Sequence, residues 1–135
     1  MKDILNKKVK NRESYRPFAP VCHEAIASRY FEINPNSNYR WMSFCPTVRE
    51  EYREVLASVT HADNTARLQT VTETQNDWLY YLLLQLHQVH SVPVLINTSF
   101  NIAGKPILNT YRDAIWMLEN TQMDGLILED YYIKK

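Results

Sequence analysis

The chain has 135 residues, 45% of them hydrophobic and 22% charged, which fits one ordinary globular domain with a real core. Basic and acidic side chains balance at 15 each, so no global charge draws the chain to nucleic acid or a membrane surface, and an anion site must come from local convergence of basic residues. Two glycines exclude a glycine-rich phosphate loop, and the apolar runs fall short of the ~20 residues a membrane span needs. A cytoplasmic location is expected, with neither nucleic acid nor membrane as partner.

Asp3–Val9 reads as a short helix inside a basic N-terminal third that carries Lys2, Lys7, Lys8, Lys10, Arg12 and Arg16. Pro17 and Pro20 force extended backbone at Arg16 and Ala19, because the residue before proline disfavours the α region. A strand is predicted over Phe18–His23 and a helix over Glu24–Phe31, ended by Asn34-Pro35. Asn34–Asn38 is the least ordered internal stretch by composition. Trp41–Cys45 reads as a compact strand, and Thr47 as the cap of a helix over Arg49–Leu56. Cys22 and Cys45 lack a C-x-x-C spacing, so they are read as small core thiols and no metal site is predicted.

Val59–Thr60 and Ala66–Val71 are predicted strands flanking a polar cluster, Thr60 to Thr70. The clearest helix is Asp77–His90, capped by Asn76 or Asp77, with Trp78, Leu82, Gln85/Leu86 and Val89 at inward spacing. Val92–Ile96 is the next strand, and Arg112–Asn120 a helix with Ala114, Ile115 and Leu118 facing inward. Gly125–Leu128 and Tyr131–Ile133 close the sheet. Strands interleaved with helices predict a mixed α/β (α+β) domain. Trp78, Tyr80, Tyr81 and Trp116 are assigned to core or interface.

Three polar segments stand out. In K-N-R-E-S-Y-R-P-F-A-P, Lys10 and Arg12 lie two apart, so an extended backbone points both to one side, where they can grip two oxygens of a phosphate or carboxylate; a solvated basic patch explains the same spacing. Glu13 is placed to orient one of the arginines. Arg67, between Ala66 and Leu68, is expected to be partly buried and to need an anionic partner, either Asp63 or a ligand phosphate. His61 and Asp63 brace that loop or, lacking a third ligand, form a weak metal pair. In V-L-I-N-T-S-F-N, an extended backbone puts Asn97, Ser99 and Asn101 on one side, suited to reading a small polar group or to capping a strand end. Lys105 is read as solvated.

Taken in order, K-N-R-E-S-Y-R-P-F-A-P, T-H-A-D-N-T-A-R-L-Q-T-V and V-P-V-L-I-N-T-S-F-N-I-A-G-K-P-I resemble the C-terminal region of the O-carbamoyltransferase family of nodulation-factor and antibiotic tailoring (NodU/TobZ type). The resemblance runs from about Asp3 to Tyr132. It implies a YrdC-like fold, a twisted mixed sheet with flanking helices, forming a single domain over residues 1–135. It also implies chemistry: carbamoyl phosphate and ATP, the latter with Mg²⁺, become carbamoyl adenylate here, and a separate ASKHA-like domain with a bound metal passes the carbamoyl group to a hydroxyl.

The positions matching the family's contacts are Lys10, Arg16 and Arg67 as catalytic residues, with Asn97 and Ser99 binding substrate; Arg12 and Asn101 join them through K-x-R and S-x-N. Asn64 stands where the family's H-x-D-G-T-x-R pattern has glycine, and asparagine tolerates left-handed backbone. The ASKHA-like part and a preceding G-P-R-A-L-G-like segment have no counterpart in the sequence. A stand-alone or split-off domain is therefore expected, completed by an ASKHA-like partner chain or pairing as a homodimer through an open sheet edge. The competing expectation is a non-catalytic anion-binding or interaction module.

Overall fold

The computed structural model describes residues 1–135 and is of the mixed α/β class predicted. Two compact units account for the chain: residues 17–98, and residues 1–16 together with 99–135. No helix is long and apolar enough to cross a membrane.

The 17–98 unit is built on a three-stranded mixed sheet in the order β2-β1-β3, with β1 Ala19–His23, β2 Gln69–Val71 and β3 Leu95–Asn97. Strand β1 runs parallel to β2, with Val21 opposite Gln69, and antiparallel to β3, with Ala19 opposite Asn97. Pairing to β2 starts at Val21, so Pro20, which has no N–H to give, sits outside that ladder. After β1 the chain makes a 3₁₀ turn over Glu24–Ile26 and continues into the short helix α2, Ala27–Tyr30, close to the helix predicted. Val21, Val71 and Leu83 form a buried cluster against which Leu79, Tyr80 and Leu95 pack.

Helix α3, Asp77–Val89, begins as predicted: Asn76 Oδ1 accepts the Leu79 N–H at 2.9 Å. Its inward face differs. Leu83, with Leu79 and Tyr80, meets the sheet, while Trp78 is 54% and Val89 74% exposed. Residues 78–84 are all apolar or aromatic, so two adjacent stripes had helical spacing and periodicity did not choose between them. Trp78, Tyr81 and Trp116 accordingly lie exposed rather than in the core.

Other elements are shorter than predicted. Trp41–Cys45 is not a strand: it turns through Met42 at φ 55°, and Trp41, Phe44 and Cys45 are exposed. The predicted helix over Arg49–Leu56 is a 3₁₀ turn, Glu50–Tyr52, followed by further turns that run through Val59. Arg49, not Thr47, precedes it, and no side chain caps it. Cys22 is the buried thiol expected, pushed up to about 12 by burial.

In the other unit, α1 (Lys2–Ile4) runs into a π-helical stretch, Leu5–Lys10, that ends at Asn11 in left-handed backbone, φ 49°. Helix α4, Tyr111–Asn120, starts in a capping box: Thr110 Oγ1 accepts the Asp113 N–H, and Asp113 accepts the Thr110 N–H at 3.0 Å. Strands β4 (Gly125–Leu128) and β5 (Tyr131–Lys134) form an antiparallel hairpin. Ala114, Leu118 and Leu126 make the core, with Ile115, Phe100 and Ile133 packed on it, which is the face predicted for α4. A Cβ at Gly125 would stand 2.7 Å from the Tyr132 ring, so a larger residue there would displace that exposed side chain.

Candidate functional site

The π-helical segment organises the basic residues. Asn6 is fully buried, and its side chain ties down the loop that follows the helix. Its Nδ2 donates to the Ser14 carbonyl at 3.2 Å and to the Arg16 carbonyl at 2.9 Å, while Oδ1 accepts Arg12 Nε–H at 2.7 Å. The Asn6 main-chain carbonyl also accepts the Arg12 N–H at 2.9 Å. Left-handed Asn11 reverses the chain, so Lys10 and Arg12 are not an extended pair as predicted; a helix end and a turn place them together instead.

Lys10 is 4% exposed, and its ammonium donates to three oxygens: the Ser99 carbonyl, the Asn101 carbonyl at 2.9 Å, and Asn101 Oδ1 at 2.9 Å. Asn101 Oδ1 also accepts from Ser99 Oγ at 2.8 Å, and Asn101 Nδ2 donates to the Lys105 carbonyl at 2.8 Å. Burial, reinforced by the Arg12 charge, pulls the Lys10 amine from 10.5 to about 8. Burial and neighbouring Arg16 also lower Arg12, with Glu13 working the other way.

These residues surround a cavity of about 190 Å³ lined by Lys10, Arg12, Arg16, Ser99, Asn101 and the turn Ile102–Gly104. No carboxylate lines it. Gly104, at φ +75°, occupies the turn position where a side chain is strained, and the Lys105 N–H closes that turn on the Ile102 carbonyl at 3.2 Å. Glu13 meets Arg16 at 3.8 Å with both side chains more than half exposed, a pairing worth little in water. Lys105, exposed as predicted, lies with its Nζ 5.5 Å from the Trp116 ring centre.

Five of the seven predicted site residues thus contribute to one structural unit: Lys10, Arg12, Arg16, Ser99 and Asn101. The other two belong to the 17–98 unit. Asn97 ends β3, not an extended run continuing to Asn101, and donates to Gln69 Oε1 at 2.5 Å. Arg67 is exposed rather than partly buried, because Ala66 and Leu68 take the inward positions of an alternating segment. Asp63 does not pair with it in the manner predicted; its Oδ1 accepts the Thr65 N–H at 3.0 Å and Thr65 Oγ1–H at 2.8 Å. Those two bonds hold the Asp63 carboxyl below its ordinary range.

His61 Nδ1 lies 3.1 Å from Thr65 Oγ1, so His61 and Asp63 brace the loop. Asn64 adopts φ 64°, the left-handed backbone its position in the motif requires. No group of three His, Cys, Asp or Glu side chains converges to hold a metal ion. Asn6, the residue that joins these contacts, was missed: a lone asparagine in a lysine-rich helix carries no sequence signal. Its one legible trace is the second left-handed-tolerant residue, Asn11, five positions on.

Comparison with known proteins agrees with the three motifs. The profile of the family described as Carbamoyltransferase C-terminus matches residues 1–135. The chain is 42% identical over 135 residues to nodulation protein NolNO of Sinorhizobium fredii, covering 99% of the chain and 20% of that relative. It is 41% identical to nodulation protein NolO of Bradyrhizobium diazoefficiens, covering 99% of the chain and 25% of the relative. It is 33% identical to 3'-hydroxymethylcephem-O-carbamoyltransferase of Amycolatopsis lactamdurans, again over 99% of the chain and 25% of the relative. The chain therefore spans a fifth to a quarter of the length of these relatives. With the whole chain matched and its characteristic motifs in order, the protein belongs to the carbamoyltransferase C-terminus family.

Proposed function

We propose that this chain is the part of a carbamoyltransferase that binds carbamoyl phosphate and ATP and forms carbamoyl adenylate, with transfer to a hydroxyl requiring a separate ASKHA-like domain. The observation that carries the reading is a cavity walled by one lysine and two arginines with no carboxylate on its lining. Lys10 is buried against neutral oxygens, burying such a charge costs free energy, and a bound phosphate would supply a counter-charge beside it.

In the proposed step water attacks the phosphorus of carbamoyl phosphate and its P–O bond to the carbamoyl group breaks, giving inorganic phosphate and carbamate; a carbamate oxygen then bonds to the α-phosphorus of ATP as the bond to the α–β bridging oxygen breaks and pyrophosphate leaves. Mg²⁺ enters as the partner of ATP, not as a resident ion. Arg12 and Arg16 offset charge on the phosphoryl oxygens. Lys10, with its protons already committed to Ser99 and Asn101, contributes a fixed positive charge and holds that loop. Arg67 and Asn97 are carried as positions matching the family's contacts.

Calorimetric titration with carbamoyl phosphate and with ATP tests the reading, beside Arg12→Ala, Arg67→Ala and Asn97→Ala. Carbamoyl phosphate affinity is expected to fall about tenfold or more in Arg12→Ala, the cost of one charge-assisted hydrogen bond. Binding without conversion of ATP to pyrophosphate, even with the ASKHA-like portion of a relative added, would leave a non-catalytic anion-binding module. A folded wild type that binds neither compound would overturn the site.

A further inference from the structure

Asn97 and Gln69 share one face of the three-stranded sheet, since Asn97 stands opposite Ala19 and Gln69 opposite Val21 on the central strand β1. Their amides meet there: Asn97 Nδ2 donates to Gln69 Oε1 at 2.5 Å and reaches Met42 Sδ at 3.6 Å. Gln69 Nε2 in turn donates to the Arg40 main-chain carbonyl at 3.4 Å, which also accepts Gln75 Nε2 at 3.5 Å. Arg40 is held in place by a two-pronged ion pair, with Nε and Nη2 each 3.2 Å from a Glu24 carboxylate oxygen.

A carbonyl and a thioether sulfur only accept, so both ends of this relay fix its direction. Turning Gln69 over would set its oxygen against the Arg40 carbonyl and its NH₂ against that of Asn97. Turning Asn97 over would set its oxygen against Gln69 Oε1 and Met42 Sδ. The observed arrangement satisfies every contact, and it directs the Asn97 NH₂ into the protein, leaving Oδ1 as the polar atom this side chain can offer a ligand. From this geometry we infer that Gln69 is a positioning residue: it turns Asn97 to present an acceptor, so this position selects an N–H of the ligand and disfavours a phosphate oxygen. The inference rests on the reading proposed above, whose two ligands each carry such a donor, the carbamoyl amide of carbamoyl phosphate and the 6-amino group of ATP.

The test is calorimetric titration of the full chain with ligand pairs that differ at the N–H. Acetyl phosphate carries a methyl group in place of the carbamoyl NH₂, and purine riboside triphosphate lacks the 6-amino group of ATP. Wild type is expected to prefer the N–H-bearing member of one pair by about tenfold, the worth of one hydrogen bond, and the pair that shows the preference identifies the group Asn97 accepts. In Gln69→Leu the preference should shrink to about twofold or less, because the released amide can present either face. A merely structural loss would weaken both members alike and leave their ratio unchanged. Gln69→Glu still accepts from Asn97 Nδ2, so it should keep the preference while its added charge weakens both members together. Exchange of the Asn97 Nδ2 hydrogens, followed by nitrogen-15 NMR and assigned by their loss in Asn97→Leu, should be faster in Gln69→Leu than in wild type. Gln69→Met, close in shape and without an amide, replaces the leucine variant should that fail to fold.

No preference within either pair in wild type, a preference undiminished in Gln69→Leu, its loss in Gln69→Glu, or unchanged Nδ2 exchange in Gln69→Leu would each overturn the inference while leaving the proposed binding function standing. Failure of the underlying reading has a different signature: a folded wild type that binds none of the four compounds. That outcome overturns the reading and this inference with it.

Discussion

Lys10 carries the sharpest single-residue prediction. Its amine sits near 8 in the folded chain against an ordinary 10.5, so between those values the unfolded chain binds more protons than the folded one. Stability from this group is therefore complete above 10.5 and lost as pH falls to about 8. Anion affinity should run the opposite way, falling as pH rises through 8 and the charge disappears. Denaturant unfolding and phosphate titration of wild type and Lys10→Met over this range check both signs; parallel pH profiles for the two proteins would remove Lys10 as the cause. At neutral pH Lys10→Met should also destabilise by about 1–3 kcal/mol, because the Ser99 and Asn101 acceptors lose their donor. Asn64 makes a second case: at φ 64° a β-branched residue is strained, so Asn64→Val should cost about 1–2 kcal/mol in thermal or denaturant unfolding.

At the scale of elements, α3 tests which stripe of an all-apolar helix is structural. Leu83→Ala should cost about 2–5 kcal/mol, the usual penalty of a buried large-to-small change, whereas Val89→Ala should lie within about 0.5 kcal/mol of wild type. Equal losses at the two positions in chemical denaturation would mean the helix uses both faces. The same helix shows why the sequence under-determined its orientation. Its cap, start and length followed from Asn76 and the apolar run, but the seven consecutive apolar or aromatic residues left its rotation to packing against Val21 and Val71. In α4 the predicted face holds although residues 114–118 are also an unbroken apolar run: Ala114 and Leu118 lie in the core with Ile115 packed on it, while Trp116 is exposed. Thr110→Ala should remove the capping box and lower stability by about 1 kcal/mol, with the loss read in thermal or denaturant unfolding.

For the whole molecule, large apolar side chains are exposed in each unit: Trp78, Tyr81, Leu82 and Val89 on α3, and Ile127, Tyr131 and Tyr132 on the hairpin. On the proposed reading such surface meets a partner, either the ASKHA-like portion or a second copy. Sedimentation should show mass rising with concentration, and Trp78→Glu or Val89→Lys should reduce that rise without lowering stability. A concentration-independent monomer mass would count against pairing. Net charge of zero makes a parallel forecast: phosphate affinity comes from a local cluster, so it should weaken with salt only as far as a few neighbouring charges allow.

The sequence alone determined the family, the mixed α/β class, the Asn76 cap of α3, the left-handed tolerance at Asn64, and the membership of Lys10, Arg12, Arg16, Ser99 and Asn101 in a polar constellation. These are properties of local residue order: proline before a strand, an asparagine cap, three motifs in sequence. Tertiary structure decided the rest. It set which side of α3 is buried, turned Arg67 out to solvent, engaged the Asp63 carboxylate with Thr65, and committed the Lys10 ammonium to Ser99 and Asn101. It also brought Asn6 under the Arg12–Arg16 loop. The physical reason is the same in each case. A side chain's hydrogen-bond partners and its burial depend on residues distant in sequence or on the exact turn of the backbone between near ones, and no local pattern encodes which acceptor a buried donor will find.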